Sequence, residues 1–207
     1  MGYDVATIGA TAAGMEREER EVVELDDLSA DPQELRRAYG CFPSGVTAIC
    51  TLVDGAPDGM AASSFTSVSL DPPLVSVCVQ NTSTTWPRLR HLPRLGVSVL
   101  AESQDVMCKT LALKSGDRFA GVDWGATADG AVFVRGATAW LDCSVHSEVP
   151  AGDHLIVLLN IHGLRADPDA APLVFHGSRF RQLRTLWPIG STPDDVAEAW
   201  SDWYCRR

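Results

Sequence analysis

Five hydroxyl side chains crowd one short stretch of the chain. Between Ala61 and Pro73 stand Ser63, Ser64, Thr66, Ser67 and Ser69, set among alanines and closed by Asp71-Pro72-Pro73. Small side chains let a flat ligand approach the backbone, and hydroxyls together with exposed backbone N–H groups can hold an anionic phosphate. A Ser-rich turn between two strands would have the same composition, and the residues alone leave both readings open. A second polar run, Gln80-Asn81-Thr82-Ser83-Thr84-Thr85, leads into a helix signal. A helix N-terminus is a natural phosphate site, but a simple Ser/Thr cap reads the same way.

Other chemistries lack their motifs. There is no G-x-S-x-G, and Ser44-Gly45 and Gly177-Ser178 lack the flanking spacing of a nucleophile elbow. No Walker loop is present. The Val5–Gly14 stretch echoes a dinucleotide-binding turn, but Thr11 stands where the fingerprint needs glycine. Cysteines at 41, 50, 78, 108, 143 and 205 form no C-x-x-C and no Cys/His pair at zinc spacing; most lie in apolar runs and read as buried free thiols. His146, His154 and His162 recur every eight residues. A turn at Pro150-Ala151-Gly152 breaks their register, so no three-histidine metal site is expected.

The chain has 207 residues, 45% hydrophobic and 21% charged, which excludes wholesale disorder. Its formal net charge of −10 argues against nucleic-acid binding. That charge sits mostly at one end: residues 1–34 carry ten acids against two bases, and the remainder is nearly balanced. Residues 1–30 therefore read as a flexible acidic tail. No apolar run approaches the roughly 20 residues of a membrane helix, and no secretory signal is visible. A cytoplasmic protein is expected.

The elements that must position the polar runs are mainly strands. Strand signals cover Val46–Val53, Gly59–Phe65, Leu74–Gln80, Leu95–Leu100, Asp153–Arg165 and Leu173–His176, with a long strand or hairpin pair over Ala131–Val149. Asp31 caps a helix that begins at Pro32 and stops near Gly40. Further helices are expected over Ser83–His91, over Ser103–Leu113, and after Thr192, where Val196, Trp200 and Trp203 share a stripe. Many strands with short helices between them indicate a mostly-β barrel or sandwich. The domain is expected over 31–184, with a helical extension over 185–207.

Four collinear blocks carry a resemblance. Phe42-Pro43-Ser44-Gly45-Val46-Thr47, the stretch from Gly59 to Leu74, Phe119-Ala120-Gly121-Val122-Asp123-Trp124, and Gly152-Asp153-His154 before an apolar strand match in order. Over roughly residues 35–183 the chain resembles the short-chain flavin reductases, the reductase components of two-component flavin-dependent monooxygenases. Leu159 and the Phe175–Phe180 segment depart from that family's pattern.

The resemblance implies a flavin-binding split β-barrel, usually a homodimer with flavin near the subunit interface. It implies hydride transfer from NADH or NADPH to free FAD or FMN, and delivery of the reduced flavin to a separate monooxygenase. Carried onto this sequence, Ser44, Gly45 and Val46 would border the flavin. Ala62, Ser63 and Ser64 would follow the ring and ribityl chain, with Ser67 and Gln80, Asn81, Thr82 and Ser83 toward ribityl and phosphate. Gly152 and Asp153 would present His154 to the nicotinamide, and Phe180 would close the pocket. Such chemistry resides in the cofactors and needs neither a protein nucleophile nor a metal. Two other readings of the same residues are a flavin-binding subunit without catalysis and a flavoenzyme acting on another small molecule.

Overall fold

The computed structural model describes residues 23–27 and 31–184. The expected acidic tail lies almost wholly outside them, and so does the expected C-terminal extension with Trp187, Trp200 and Trp203. Among the described residues, no helix is long and apolar enough to cross a membrane.

Helix α1 spans Pro32–Tyr39. The Asp31 carboxylate accepts from the Gln33 N–H at 2.9 Å, and Pro32 sits in the first turn, where its missing N–H loses nothing. The helix buries no residue. It is anchored at its C-terminal end, where the Gly177 N–H donates to the Gly40 carbonyl at 3.0 Å.

Five strands follow: β1 (Ser44–Gly45), β2 (Thr47–Val53), β3 (Ala56–Ala62), β4 (Thr66–Leu70) and β5 (Pro73–Gln80). The short helix α2 (Trp86–Leu89) leads to β6 (Leu95–Val99). After a 3₁₀ turn at Glu102–Gln104 come α3 (Asp105–Leu111), β7 (Trp124–Ala126) and β8 (Val132–Val134). The long hairpin β9 (Ala139–Ala151) and β10 (His154–Ala166) precedes β11 (Val174–His176) and β12 (Arg179–Arg181). Seven strands form one antiparallel sheet in the order β3-β2-β6-β9-β10-β5-β4. A smaller sheet, β1-β11-β12, and the ribbon β7-β8 complete the fold. This is the expected mostly-β split barrel with short peripheral helices.

Burial in β2 explains its sequence. Its first five residues are all buried, because the strand is covered on both faces. Ile49 joins the barrel interior with Val75, Val77, Val79, Leu95, Val97, Val157 and Leu159. Ala48 and Cys50 face a second core with Leu100, Cys108, Leu111, Val132 and Val134. A two-sided strand reads as a continuous apolar run rather than an alternation. Gly96 is required where β8 crosses β6, since a Cβ there would lie 2.1 Å from the Val132 carbonyl oxygen.

Trp86 is buried with the barrel-interior cluster at 2% exposure. Its Nε1 donates to Glu148 Oε1 at 2.7 Å, and Arg90 pairs with the other oxygen of the same carboxylate. The tryptophan therefore buries its ring with its one polar atom satisfied.

Several expectations shift. The Ser-rich stretch contains the edge strand β4, whose mostly exposed residues give no apolar signal. The helix expected from Ser83 begins at Trp86, with Ser83 Oγ accepting the Trp86 N–H at 3.1 Å. Ala131–Val149 resolves into β8 and β9, separated at Gly136 with φ +76°. The turn expected at Pro150–Gly152 lies instead at Gly152–Asp153, because β9 continues through Ala151. Cys50, Cys108 and Cys143 are buried free thiols as expected, but Cys41 and Cys78 are exposed. Cys205 lies outside the described residues.

Candidate functional site

The edges of the seven-stranded sheet are β3 and β4, which only residues 63–65 separate along the chain. To join them the sheet must curl until its edges approach, and the linking residues cross the seam. Ser64 fastens it. The Cys78 N–H donates to Ser64 Oγ at 2.8 Å, and the Ser64 hydroxyl donates to the Cys78 carbonyl at 3.0 Å. Beside it, the Thr47 hydroxyl donates to the Ala62 carbonyl at 3.1 Å. Ser63 is exposed and its hydroxyl makes no hydrogen bond among the described residues.

A cavity of about 380 Å³ opens at this crossing. Ser44 and Ser63 line it. The β11–β12 turn forms one wall, with Phe175, His176, Gly177 and Ser178. Gly177 and Ser178 have φ of +57° and +60°, as a tight two-residue hairpin turn requires. The α1 end, with Arg36, Tyr39 and Gly40, and Phe42 also line it, the Gly40 carbonyl meeting the Gly177 N–H of that turn. Tyr39 and Phe42 are 70% and 79% exposed. Aromatic faces, small residues and unspent hydroxyls around a cavity of this size suit a planar, partly polar ligand.

The second polar run lies at the far end of β5. Gln80 pairs with His154 across β5 and β10. Asn81 is locked to the β9–β10 turn: its N–H donates to the Asp153 carbonyl at 2.9 Å and its Nδ2 to the Gly152 carbonyl at 3.1 Å. Gly152 has φ +64°, which the two-residue turn demands. Thus the turn that presents His154 is held by the polar run that follows β5. His154 Nδ1 donates to Asp153 Oδ1 at 2.7 Å. That hydrogen bond, then the charge of His154, holds the Asp153 carboxyl below its usual 3.8, and Arg36 acts in the same direction.

Not every expected residue offers its side chain. Val46 is 4% exposed in the second core, and its carbonyl already accepts from the Leu100 N–H. Ala62 is 9% exposed and packs in the barrel interior. Phe180 stands behind the cavity wall, stacked edge-on against Phe175 at 5.6 Å, so Phe175 lines the cavity and Phe180 supports it. Ser83 is spent as a helix cap, while the hydroxyls of Ser67 and Thr82 make no hydrogen bond among the described residues. Gly45 in β1 pairs with Val174. Leu159, which departs from the family pattern, lies wholly in the barrel core and does not face the site.

His146 and His162 stand on the neighbouring strands β9 and β10 and hydrogen-bond to Asn160 and Ser144. Among the described residues no cluster of His, Cys, Asp and Glu is arranged to hold a metal.

Residues 39–184 match the flavin reductase like domain family. The chain belongs to the flavin reductase family. A flavin reductase from Pseudomonas putida is 39% identical over 154 residues, covering 74% of this chain and 91% of that one. The reductase subunit of a flavin-dependent monooxygenase from Rhodococcus jostii is 35% identical over 173 residues, covering 83% of this chain and 85% of that one. The solved NADH:FAD oxidoreductase of Streptomyces globisporus, in complex with NAD and FAD fragments, shares 39% identity and a TM-score of 0.73. That likeness spans 82% of this chain and 100% of the other.

Among the residues of this flavin reductase family member, Arg36, Tyr39, Phe42, Phe175, His176 and Ser178 were not assigned to the site from sequence. Phe42 sat inside a recognised block and was readable. Arg36 precedes the matched segment, and only the folding of α1 onto the β11–β12 turn brings it to the cavity.

Proposed function

We propose that this protein is an NAD(P)H:flavin oxidoreductase that passes reduced FAD or FMN to a separate monooxygenase. The observation that carries the reading is the barrel seam: small and hydroxyl residues cross it beside an aromatic-walled cavity, with the His154 turn laced to the end of β5. The kinship to an NADH:FAD oxidoreductase and to a monooxygenase reductase subunit supports the chemistry.

A bound flavin supplies the hydride acceptor, and a reduced nicotinamide supplies the hydride. The residues present fit such a group: Ser63 and Ser44 leave room for a ring against the backbone, and Phe175 and Phe42 offer faces for stacking. Backbone and hydroxyl groups of Ser63, Ser67 and Thr82 bind the polar chain, while Ser64 keeps the seam shut. Asp153 fixes the His154 ring with Nδ1 protonated and leaves Nε2 to orient the nicotinamide amide. Holding two rings in contact is the protein's main contribution to rate. The working unit is a homodimer, and the free cysteines fit a reducing, cytoplasmic setting.

The test is oxidation of NADH and NADPH by purified protein, with and without added FAD or FMN. Turnover that depends on added flavin supports the reading. Flavin binding without turnover would move the protein to a non-catalytic flavin-binding role.

A further inference from the structure

Helix α3 has two apolar sides, and only one of them is packed. Met107, Cys108 and Leu111 belong to the second core. On the other side Val106 is 69% exposed, and Leu113, seven positions on and just past the helix cap, is 49% exposed. Ahead of the helix a groove of about 480 Å³ opens, lined by the small residues Ala101, Ser103, Ala170 and Ala171 together with Glu102 and Gln182. Strand β12 brings the chain to this groove. Lys109 lies over the Phe180 ring at 5.4 Å, and Gln182 Nε2 donates to Glu102 Oε1. The strand thus runs back along α3 to the turn that precedes it, and the described chain ends two residues later, at Arg184.

Val68 and Leu70 on β4 and Leu164 on β10 are exposed as well. The α3 face is singled out by the two contacts that tie it to the strand from which the chain leaves. The residues that follow have the composition such a face calls for. Trp187 comes first, then the turn-rich run Pro188-Ile189-Gly190-Ser191-Thr192-Pro193. Val196, Trp200 and Trp203 then fall at the i, i+4, i+7 spacing of one helical side, with Asp194, Asp195, Glu198 and Asp202 off it. The stretch 185–191 can span up to about 23 Å, whereas the seven residues of α3 are only about 10 Å long. The chain can therefore turn back over the helix. The family match ends at residue 184, so this segment lies outside the shared domain. We infer that residues 185–204 fold back on α3 of the same chain, with Trp187 in the groove and Val196, Trp200 and Trp203 covering Val106 and Leu113. The covered helix backs the ligand cavity, since Lys109 lies over Phe180 and Phe180 supports Phe175. The segment is a brace for that wall, and its docking does not depend on what the cavity binds.

The experiment is peptide-resolved hydrogen exchange on the full chain, comparing wild type with Val106→Asp, Trp200→Ser and the double variant. An aspartate at 106 falls in the first turn of α3, where a carboxylate on a bare surface costs nothing. In wild type the amides of 194–204 are expected to exchange at least about tenfold more slowly than an unstructured peptide. Val106→Asp brings them to within about twofold of that free rate, while β6 and β9 keep their protection. Trp200→Ser does the same and also speeds exchange in α3 by about threefold or more. The double variant adds nothing further, as one shared contact requires. A segment that exchanges freely in wild type overturns the inference. So does protection that survives Val106→Asp, which would put the segment on another surface. Protection that disappears on dilution would give the face to a second copy of the chain and overturns it as well. If Val106→Asp also strips protection from β6 and β9, Trp200→Ser decides, and unchanged exchange in α3 in that variant overturns the docking.

Discussion

Ser64 and Cys78 hold each other twice: the hydroxyl of Ser64 accepts from the Cys78 amide and donates to the Cys78 carbonyl, at 2.8 and 3.0 Å. One side chain thus replaces the next rung of the β4–β5 ladder, whose pairing stops at Thr66 and Ser76. A substitution at Ser64 tests the seam. Ser64→Ala removes both bonds in a half-buried position and is expected to lower stability by about 1–2 kcal/mol, read as a shift in the urea midpoint. The KM for flavin should rise at the same time. Unchanged flavin binding in a destabilised variant would separate the seam from the site.

The Asp153–His154 pair gives a second prediction. His154→Ala should raise the KM for NADH about tenfold, the worth of one hydrogen bond, with a smaller effect on kcat. If His154 instead delivered a proton in the rate-limiting step, kcat would fall about a hundredfold or more. Asp153→Asn keeps an acceptor for Nδ1 but loses the charge, so its defect should be the milder of the two.

Glu148 serves Trp86 and Arg90 together. Glu148→Ala strands the buried Trp86 N–H and leaves the Arg90 guanidinium unpaired. The expected loss is about 2–4 kcal/mol, seen in urea unfolding followed by tryptophan fluorescence. Glu148→Gln retains one acceptor and should lose less. Equal losses in both variants would show that charge, not the tryptophan contact, dominates.

The buried thiols predict a limit at alkaline pH. Burial pushes Cys50 and Cys143 up to about 12, from the ordinary 9.0, with Asp58 and Asp142 adding to the effect. In the unfolded chain the same thiols ionise near 9.0. As pH rises past that value the unfolded state sheds protons that the folded state keeps, so stability is complete below about 9 and declines toward 12. The slope approaches about 1.4 kcal/mol per pH unit for each thiol, and Cys50→Ala should flatten it. In native protein Cys41 and Cys78 should react with a thiol reagent while Cys50 and Cys143 stay closed until denaturation; peptide mapping after labelling checks this.

Much of this was legible in the residues. The β-branched runs marked β2, β5, β6 and β10, and the Asp31-Pro32 start of α1 was readable because capping is a local matter. Strand β4 was not, since an edge strand with exposed faces carries no periodic signal. The His154 turn was found by its motif, but its lacing to Asn81 is a contact between residues 71 positions apart. Leu159 looked like a departure near the site, yet inward pleating sends its side chain to the core. Arg36 and Phe175 come together only because Gly177 docks on the end of α1, and no spacing rule encodes that pairing.

The seam also sets how the protein breathes. The Cys78 amide is protected from solvent by a hydroxyl rather than by a neighbouring strand, so a rotation at Ser64 is enough to release it. Its hydrogen-exchange rate therefore reports a local opening that need not unfold β2, β6 and β9, whose amides wait for global unfolding. Ser63, which crosses the seam beside Ser64, is assigned to the ligand, so a bound ring and a shut barrel should favour one another, and occupancy of the cavity should be visible as slowed exchange at Cys78.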